Sequence, residues 1–148
     1  MSTAAQAARP MPCPAVSAAV VEEGRVLMVR RGKPPNLGML ALPGGRIEPG
    51  EELLAAAVRE LREESGIEAE PLRVLTAIDQ LHYDDRGRLA YHYVVVVVLC
   101  RRIHGSGVAG DDATEVKWLD ASALCSEQTL CDSARDIALG LLGSDPLR

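Results

Sequence analysis

The chain contains no phenylalanine, one tryptophan and three tyrosines in 148 residues. Its core must therefore be built from valine, leucine, alanine and isoleucine. Long hydrophobic runs are missing too. The longest, Tyr93–Cys100, falls far short of the roughly 20 apolar residues that cross a bilayer. The N-terminal MSTAAQAARPMPCPA has no apolar stretch of the secretory kind. Both absences point to a cytoplasmic protein with no membrane partner. Cys13, Cys100, Cys125 and Cys131 show neither CxxC nor Cys/His spacing, so they read as buried or incidental thiols rather than zinc ligands or disulfides. Positive charge is in deficit. Sixteen Lys and Arg against twenty-one Asp and Glu leave a net charge of −5, which argues against a nucleic-acid polymer as partner.

What remains is the composition of one globular domain. Hydrophobic residues make up 47 % of the chain, and its length allows a proper core. Residues 1–14 read as a loosely ordered tail and 15–143 as the domain. Ala15–Val21 and Val26–Arg30 are expected to form a hairpin around the Glu23-Gly24-Arg25 turn. Arg31–Gly38 is a loop, and Met39–Leu42 is a short strand that delivers Pro43-Gly44-Gly45. Leu72–Leu81 and Leu89–Arg101 are strands joined at Asp84-Asp85-Arg86-Gly87. The five valines from Val94 to Val98 show no alternation, which predicts burial on both faces of a central strand. After a Gly- and Asp-rich loop at 104–113 come a last short strand, Glu115–Leu119, and a helix over Ser126–Leu142 with Leu130, Ala134, Ile137, Ala138 and Leu141 on one face. Helices on both sides of a mixed sheet make the expected fold an α/β/α sandwich.

The most informative segment is GRIEPGEELLAAAVRELREESGI, from Gly45 to Ile67. Pro49-Gly50 is turn chemistry, and Glu51 and Glu52 stand where carboxylates favour a helix N-terminus. Leu53–Leu61 is a good helix former without a breaker. Gly66 is expected in the left-handed position that ends the helix, with Ile67 folding back toward Leu61. At about 100° per residue, Leu54, Ala57, Val58 and Leu61 form the apolar stripe. Glu60, Glu63 and Glu64 lie together beside it. Carboxylates at i, i+3 and i+4 repel one another by a few tenths of a kcal/mol per pair. Arg59 can pair with Glu63 or reach back to Glu51, but one arginine does not neutralise four glutamates. A divalent cation with oxygen ligands would.

The spacing of Gly45, Glu51, Arg59, Glu60, Glu63, Glu64 and Gly66, with apolar Leu61 and Ile67, resembles the signature of the Nudix hydrolases position for position. The resemblance implies the Nudix-type α/β/α sandwich and a Mg²⁺ (or Mn²⁺) cofactor. It assigns the metal to Glu60, Glu63 and Glu64, with the Gly44 carbonyl as a further ligand. Gly45, Glu51, Arg59 and Gly66 are structural by the same comparison, Glu51 and Arg59 fixing the loop against the helix. Gly44 and Gly45 lack a Cβ, which lets the backbone approach metal and phosphates closely. Similar proteins use an acidic residue of the downstream loop as general base or extra ligand, so Glu115, or alternatively Asp112 beside Asp111, joins Glu63 and Glu64 as a catalytic candidate.

Substrate contacts are expected from Arg31, Gly44 and Gly45. Arg30 and Lys33 are further basic residues able to meet phosphate, or simply solvated ones. His82 and Tyr83, with His92 and Tyr93, are polar aromatics that can stack on a base or bond a ribose, packing being the alternative for each. Trp118 reads as core. RRGKPPNLGMLALPGG, YHYVVVVV and GDDATEVKWLD resemble the bacterial ADP-ribose pyrophosphatase-like branch. That implies cleavage of a small nucleoside diphosphate derivative into a nucleoside monophosphate and a phosphorylated second moiety, by a chain that homodimerises in many similar proteins. The alternatives are a MutT-like triphosphate pyrophosphohydrolase that clears oxidised nucleotides and a non-catalytic nucleotide-sensing module.

Overall fold

The computed structural model describes residues 9–144. The first eight residues of the expected tail lie outside the described residues, and Cys13 and Pro14 already belong to a strand. β1 (Cys13–Glu22) and β2 (Arg25–Arg31) form the expected hairpin. Its two turn residues, Glu23 and Gly24, both have positive φ (50° and 74°), as tight hairpin turns require. Pairing between the two strands covers only Val21↔Val26 and Glu22↔Arg25, after which they part into two half-sheets. β1 runs antiparallel to β4 (Gly44–Arg46) and parallel to β6 (Leu89–His104), and β5 (Glu68–Tyr83) pairs antiparallel outside β6. β2 lies between β3 (Leu40–Ala41) and β7 (Ala113–Leu119), antiparallel to both. Together these strands make one mixed seven-stranded sheet.

The alternation of side chains along a strand divides the core in two. Val16, Ala18, Val20, Val98 and Cys100 face α1 (Leu53–Ser65) through Ala56, Ala57, Leu61 and Ile67. Ala19, Met28, Val97 and Leu99 point the other way, toward α2 (Ala121–Ser126) and α3 (Asp132–Leu142), through Leu124, Ala134, Ala138 and Leu141. The sheet is thus covered on both faces, as the α/β/α expectation requires. No helix among the described residues is long and apolar enough to cross a membrane.

Four expectations need correction. Double-sided burial of the valine run begins only at Val97, because Val94 is exposed where β6 extends past the helices and Val96 is half-buried. On α1, Leu54 is exposed. The buried stripe is instead Ala56, Ala57 and Leu61, flanked by Leu53 and Val58. The Pro43-Gly44-Gly45 segment is not all loop, since Gly44–Arg46 is a strand held against Ala15–Ser17. The single helix over 126–142 is two helices, because the segment between them is taken over by β3. Leu40 N–H donates to the Thr129 carbonyl (2.7 Å), and Cys131 N–H donates to that of Leu40 (2.9 Å). Arg135 then donates to the carbonyls of Leu124 and Glu127, which α2 leaves open.

Leu61 is fully buried where α1 meets β1 and β6. Leu61→Ala is expected to cost about 3 kcal/mol, the usual scale for a truncated core leucine. A urea titration would show the midpoint moving with the slope unchanged.

Candidate active site

Arg59 organises the segment. Its Nε donates to Glu51 Oε2 at 2.6 Å and its Nη2 to Glu51 Oε1 at 2.9 Å, a two-pronged pair. Nη1 donates to Glu60 Oε1 (2.8 Å) and to Glu63 Oε2 (3.1 Å), and Nη2 also donates to the carbonyl of Arg46 (3.0 Å). Only 17 % of the Arg59 and Glu51 side chains is exposed. This pairing holds the Glu51 carboxyl down at about 2 and raises the arginine further above its usual range. Arg59 therefore serves both partners considered for it, and Glu60 besides. Glu51 is thereby committed to the arginine, and α1 carries no acidic residue in its first turn.

Close backbone approach sets the other side of the site. A Cβ on Gly44 would collide with the Val16 carbonyl, so that position admits only glycine, and one on Gly45 would displace the Glu60 carboxylate. Gly44 N–H donates to Glu64 Oε2 at 3.1 Å. Arg59 does not reach this carboxylate. Burial, with Glu60 and Asp111 adding repulsion, pushes Glu64 up to about 8 against the opposing Gly44 bond and Arg31. Burial also raises Glu60, with the Arg59 contact working against it. Gly44, Gly45, Glu60 and Glu64 form one end of a cavity of ≈ 790 Å³ between the sheet, α3 and the 31–36 loop.

The remaining candidates divide. Arg31 lines this cavity, its Nε anchored on the Pro35 carbonyl at 2.6 Å. Asp112 lines it as well, paired with Lys33 (2.5 Å). Glu63 does not line this cavity; it is 41 % exposed and pairs with Arg59 (3.1 Å). Glu115 is not brought to the cavity. It stands opposite Arg30 in the β2–β7 ladder and pairs with Arg30 (3.2 Å) and Lys117 (3.6 Å). His82 lines a second cavity of ≈ 510 Å³, which shares Asn36, Gln80, Cys131 and Ser133 with the first. Its Nε2 is buried without a hydrogen-bond partner, and burial followed by Arg31 lowers its pKa. Tyr83 is 61 % exposed and lines neither cavity. Trp118 is half-buried and donates to the Ser106 carbonyl (3.1 Å).

Sequence reasoning passed over Gln80 and Tyr91 and named Asp111 only as the neighbour of Asp112, yet all three line the main cavity. Asp111, in a left-handed conformation (φ 52°), is the loop carboxylate close enough to raise both Glu60 and Glu64. Two-residue periodicity places Ile78, Gln80 and His82 on one face. The pairs Gln80↔Tyr93 and His82↔Tyr91 then bring the tyrosines alongside.

Among the described residues no three His, Cys, Asp or Glu side chains are gathered into an all-protein metal cage. Mg²⁺ does not require one, since it takes one or two carboxylates and leaves other positions to water and substrate phosphate. The donor set here fits that habit. Glu60 and Glu64 are hard oxygen donors beside a glycine loop with no room for a Cβ. The buried charge of Glu64, which lacks a basic partner in contact, is what a divalent cation would stabilise.

The NUDIX domain model matches residues 11–138, and the chain belongs to that family. It is 34 % identical over 113 residues to an ADP-ribose pyrophosphatase of Methanocaldococcus jannaschii, covering 76 % of this chain and 64 % of that protein. Among solved structures, a MutT NUDIX hydrolase of Burkholderia pseudomallei is 30 % identical with a TM-score of 0.73, covering 88 % of this chain and 97 % of that one. A bifunctional NMN adenylyltransferase/ADP-ribose pyrophosphatase of Francisella tularensis, complexed with AMP and a Mn ion, is 26 % identical with a TM-score of 0.73, over 90 % of this chain and 42 % of that one. The chain spans between about half and two-thirds of the curated relatives it matches, 53 % and 64 % of the first two.

Two predictions follow from the charges. Arg59→Ala strands Glu51 and Glu60 without a partner and is expected to cost about 2–4 kcal/mol, read as a lower melting temperature together with a lower rate. Unchanged melting with lost turnover would instead make Arg59 a direct participant. For Glu64, an unfolded chain titrates near 4.5 while the folded state holds its proton to about 8. Between these values the native state binds more protons than the unfolded chain, so its stability falls as pH rises and levels off above about 8. In EDTA the wild type should lose on the order of 2 kcal/mol between pH 5 and pH 8 relative to Glu64→Gln. Parallel curves for the two proteins would contradict it.

Proposed function

We propose that the chain is a metal-dependent Nudix pyrophosphohydrolase. Its proposed substrate is a nucleoside diphosphate linked to a second moiety, of the ADP-ribose or nucleotide-sugar type. Cleavage between the phosphates would give a nucleoside monophosphate and a phosphorylated second moiety. The observation that carries this reading is the buried carboxylate of Glu64, raised to about 8 beside Glu60 and Asp111, in a cavity that shares Asn36, Gln80, Cys131 and Ser133 with a second. A diphosphate fits the acidic end only through a cation, and the length of the double cavity suits a substrate with a group on each side of its phosphates. The ADP-ribose pyrophosphatase relative supports the substrate class.

Glu60, Glu64 and the Gly44 carbonyl would hold the ion, with Glu63, on the same helix, as a further ligand. When bound, Mg²⁺ or Mn²⁺ would neutralise the diphosphate and stabilise the charge that grows on its oxygens as the bond breaks. Arg31, fixed through Nε, leaves the outer nitrogens of its guanidinium for a phosphate oxygen. Asp111 is the loop carboxylate placed to accept the proton of the attacking water, a role that needs an ionised group at the acidic end. Tyr91 and Tyr93, ring planes 15° apart and Tyr93 capped by Arg46, offer flat faces to a base.

A second reading, pyrophosphate release from a triphosphate, has the likeness to a MutT NUDIX hydrolase in its favour. Side-by-side incubation of ADP-ribose and dNTPs with Mg²⁺ and Mn²⁺ separates the two. AMP with ribose 5-phosphate is the expected product pair. Pyrophosphate from a dNTP, with no AMP from ADP-ribose, would reverse the choice. Glu64→Gln is expected to lower turnover by at least about 10²-fold while the protein remains folded.

A further inference from the structure

Four cationic side chains line the main cavity: Arg30, Arg31, Lys33 and Arg46. Arg30 is held on both outer nitrogens, donating through Nη1 to the Gly38 carbonyl (2.9 Å) and Thr129 Oγ1 (3.0 Å) and through Nη2 to Glu115 (3.2 Å). Arg46 lies over the Tyr93 ring and donates to its hydroxyl. Arg31 is anchored through Nε on Pro35. Lys33 differs from all three. Its ammonium has one carboxylate partner, Asp112 Oδ2 at 2.5 Å, and the two side chains are 62 % and 47 % exposed. An ion pair so open to water shifts an equilibrium by no more than about fivefold.

The backbone beneath that pair is closed. Gly32 N–H donates to the Asp112 carbonyl at 2.8 Å, so tightly that a Cβ on Gly32 would collide with that carbonyl. The 31–33 and 110–113 loops therefore stay joined through main-chain atoms while the two side chains above them are free to part. Both side chains face the same cavity as Glu60, Glu64 and Asp111.

We propose that the Lys33–Asp112 pair is an exchangeable clasp, in which a phosphate oxygen of the substrate replaces Asp112 as the partner of the Lys33 ammonium. Asp112 is then the resting counter-ion of a substrate-binding lysine, and Asp111, its neighbour, is the carboxylate turned to the acidic end. The exchange is cheap because an exposed carboxylate, already screened by water, is traded for an oxygen of a diphosphate that carries one negative charge on each phosphate. Lysine suits it, being a compact point charge on a flexible stem rather than a fixed fork. This inference rests on the reading of the cavity as a site for nucleoside diphosphate derivatives.

Steady-state kinetics on ADP-ribose with Mg²⁺ tests the clasp through a double-mutant cycle. Lys33→Met should raise KM about five- to tenfold with kcat within about twofold of wild type. Asp112→Asn should lower KM about two- to fourfold, again sparing kcat, because Lys33 no longer has to leave a partner. In the Lys33→Met background, Asp112→Asn should leave KM unchanged. An equal fall in KM there would show plain relief of charge repulsion and overturn the clasp. So would an unaltered KM in Lys33→Met. A kcat loss of about 10²-fold or more in Asp112→Asn would make Asp112 the base instead. That last outcome also overturns the clasp and moves the base from Asp111 to Asp112, while all of them leave the substrate class standing. Absence of turnover by the wild type on every nucleoside diphosphate derivative would sink that reading and the clasp with it.

Discussion

One guanidinium holds the site in shape. Arg59 closes a two-pronged pair with Glu51 across the turn that precedes α1, and it bonds the Arg46 carbonyl at the end of β4. The strand, the loop and the helix are thereby fixed to one another by a single side chain. The same group steadies Glu60 and Glu63 from behind, so their mutual repulsion does not unwind the helix. Glu64 is left out of this arrangement, and the omission gives the site its character. Its carboxylate meets only a backbone N–H, in surroundings that disfavour its charge. The segment thus joins a compensated half, which keeps the fold, to an uncompensated half, which invites a cation.

The glycines give that arrangement its dimensions. Gly44 lies on the Val16 carbonyl and Gly45 on the Glu60 carboxylate, each at a distance no side chain would permit. β4 can therefore pair with β1 while its backbone also faces α1, which brings strand, helix and cavity together at Gly44 and Gly45. A larger residue at Gly45 would push Glu60 out of line, and one at Gly44 would force β4 off β1.

Much of this was legible in the sequence because it is local. The offsets from Gly45 to Gly66 lie within one loop and one helix, so helical geometry alone offered Arg59 its two partners. The three glutamates instead divide, Glu60 and Glu63 on Arg59 and Glu64 on the Gly44 N–H. The strands were legible from valine-rich runs between Gly and Asp turns. The misjudged features depend on pairing between distant segments. Glu115 looked free in the sequence, but the β2–β7 register sets it opposite Arg30, whose charge it matches. Asp111 drew less attention than its neighbours, and only the left-handed turn at that residue aims it at the acidic end. His82 and Gln80 share a face by two-residue alternation, yet which cavity they meet depends on where α3 begins. That start is set by hydrogen bonds between Leu40 and the 129–131 segment, nearly ninety residues away in sequence.

The absence of phenylalanine has a structural counterpart in the cavity itself. Part of its wall is built from Ala15, Ala41, Val95, Val97 and Ala134, small side chains on β1, β3, β6 and α3 that stand beside Leu42, Ile78 and Ile137. Residues of that size leave space where larger apolar side chains would fill an interior at normal packing density. The space persists because the fold is secured elsewhere. Leu27, Leu61, Ile67 and Val98 close the opposite face against α1, and Leu99, Leu124 and Leu141 close the far end of the near face. Stability and vacancy are therefore assigned to different regions of one sheet. A large aromatic at Ala15 or Val97 would add apolar contact and remove the binding volume together.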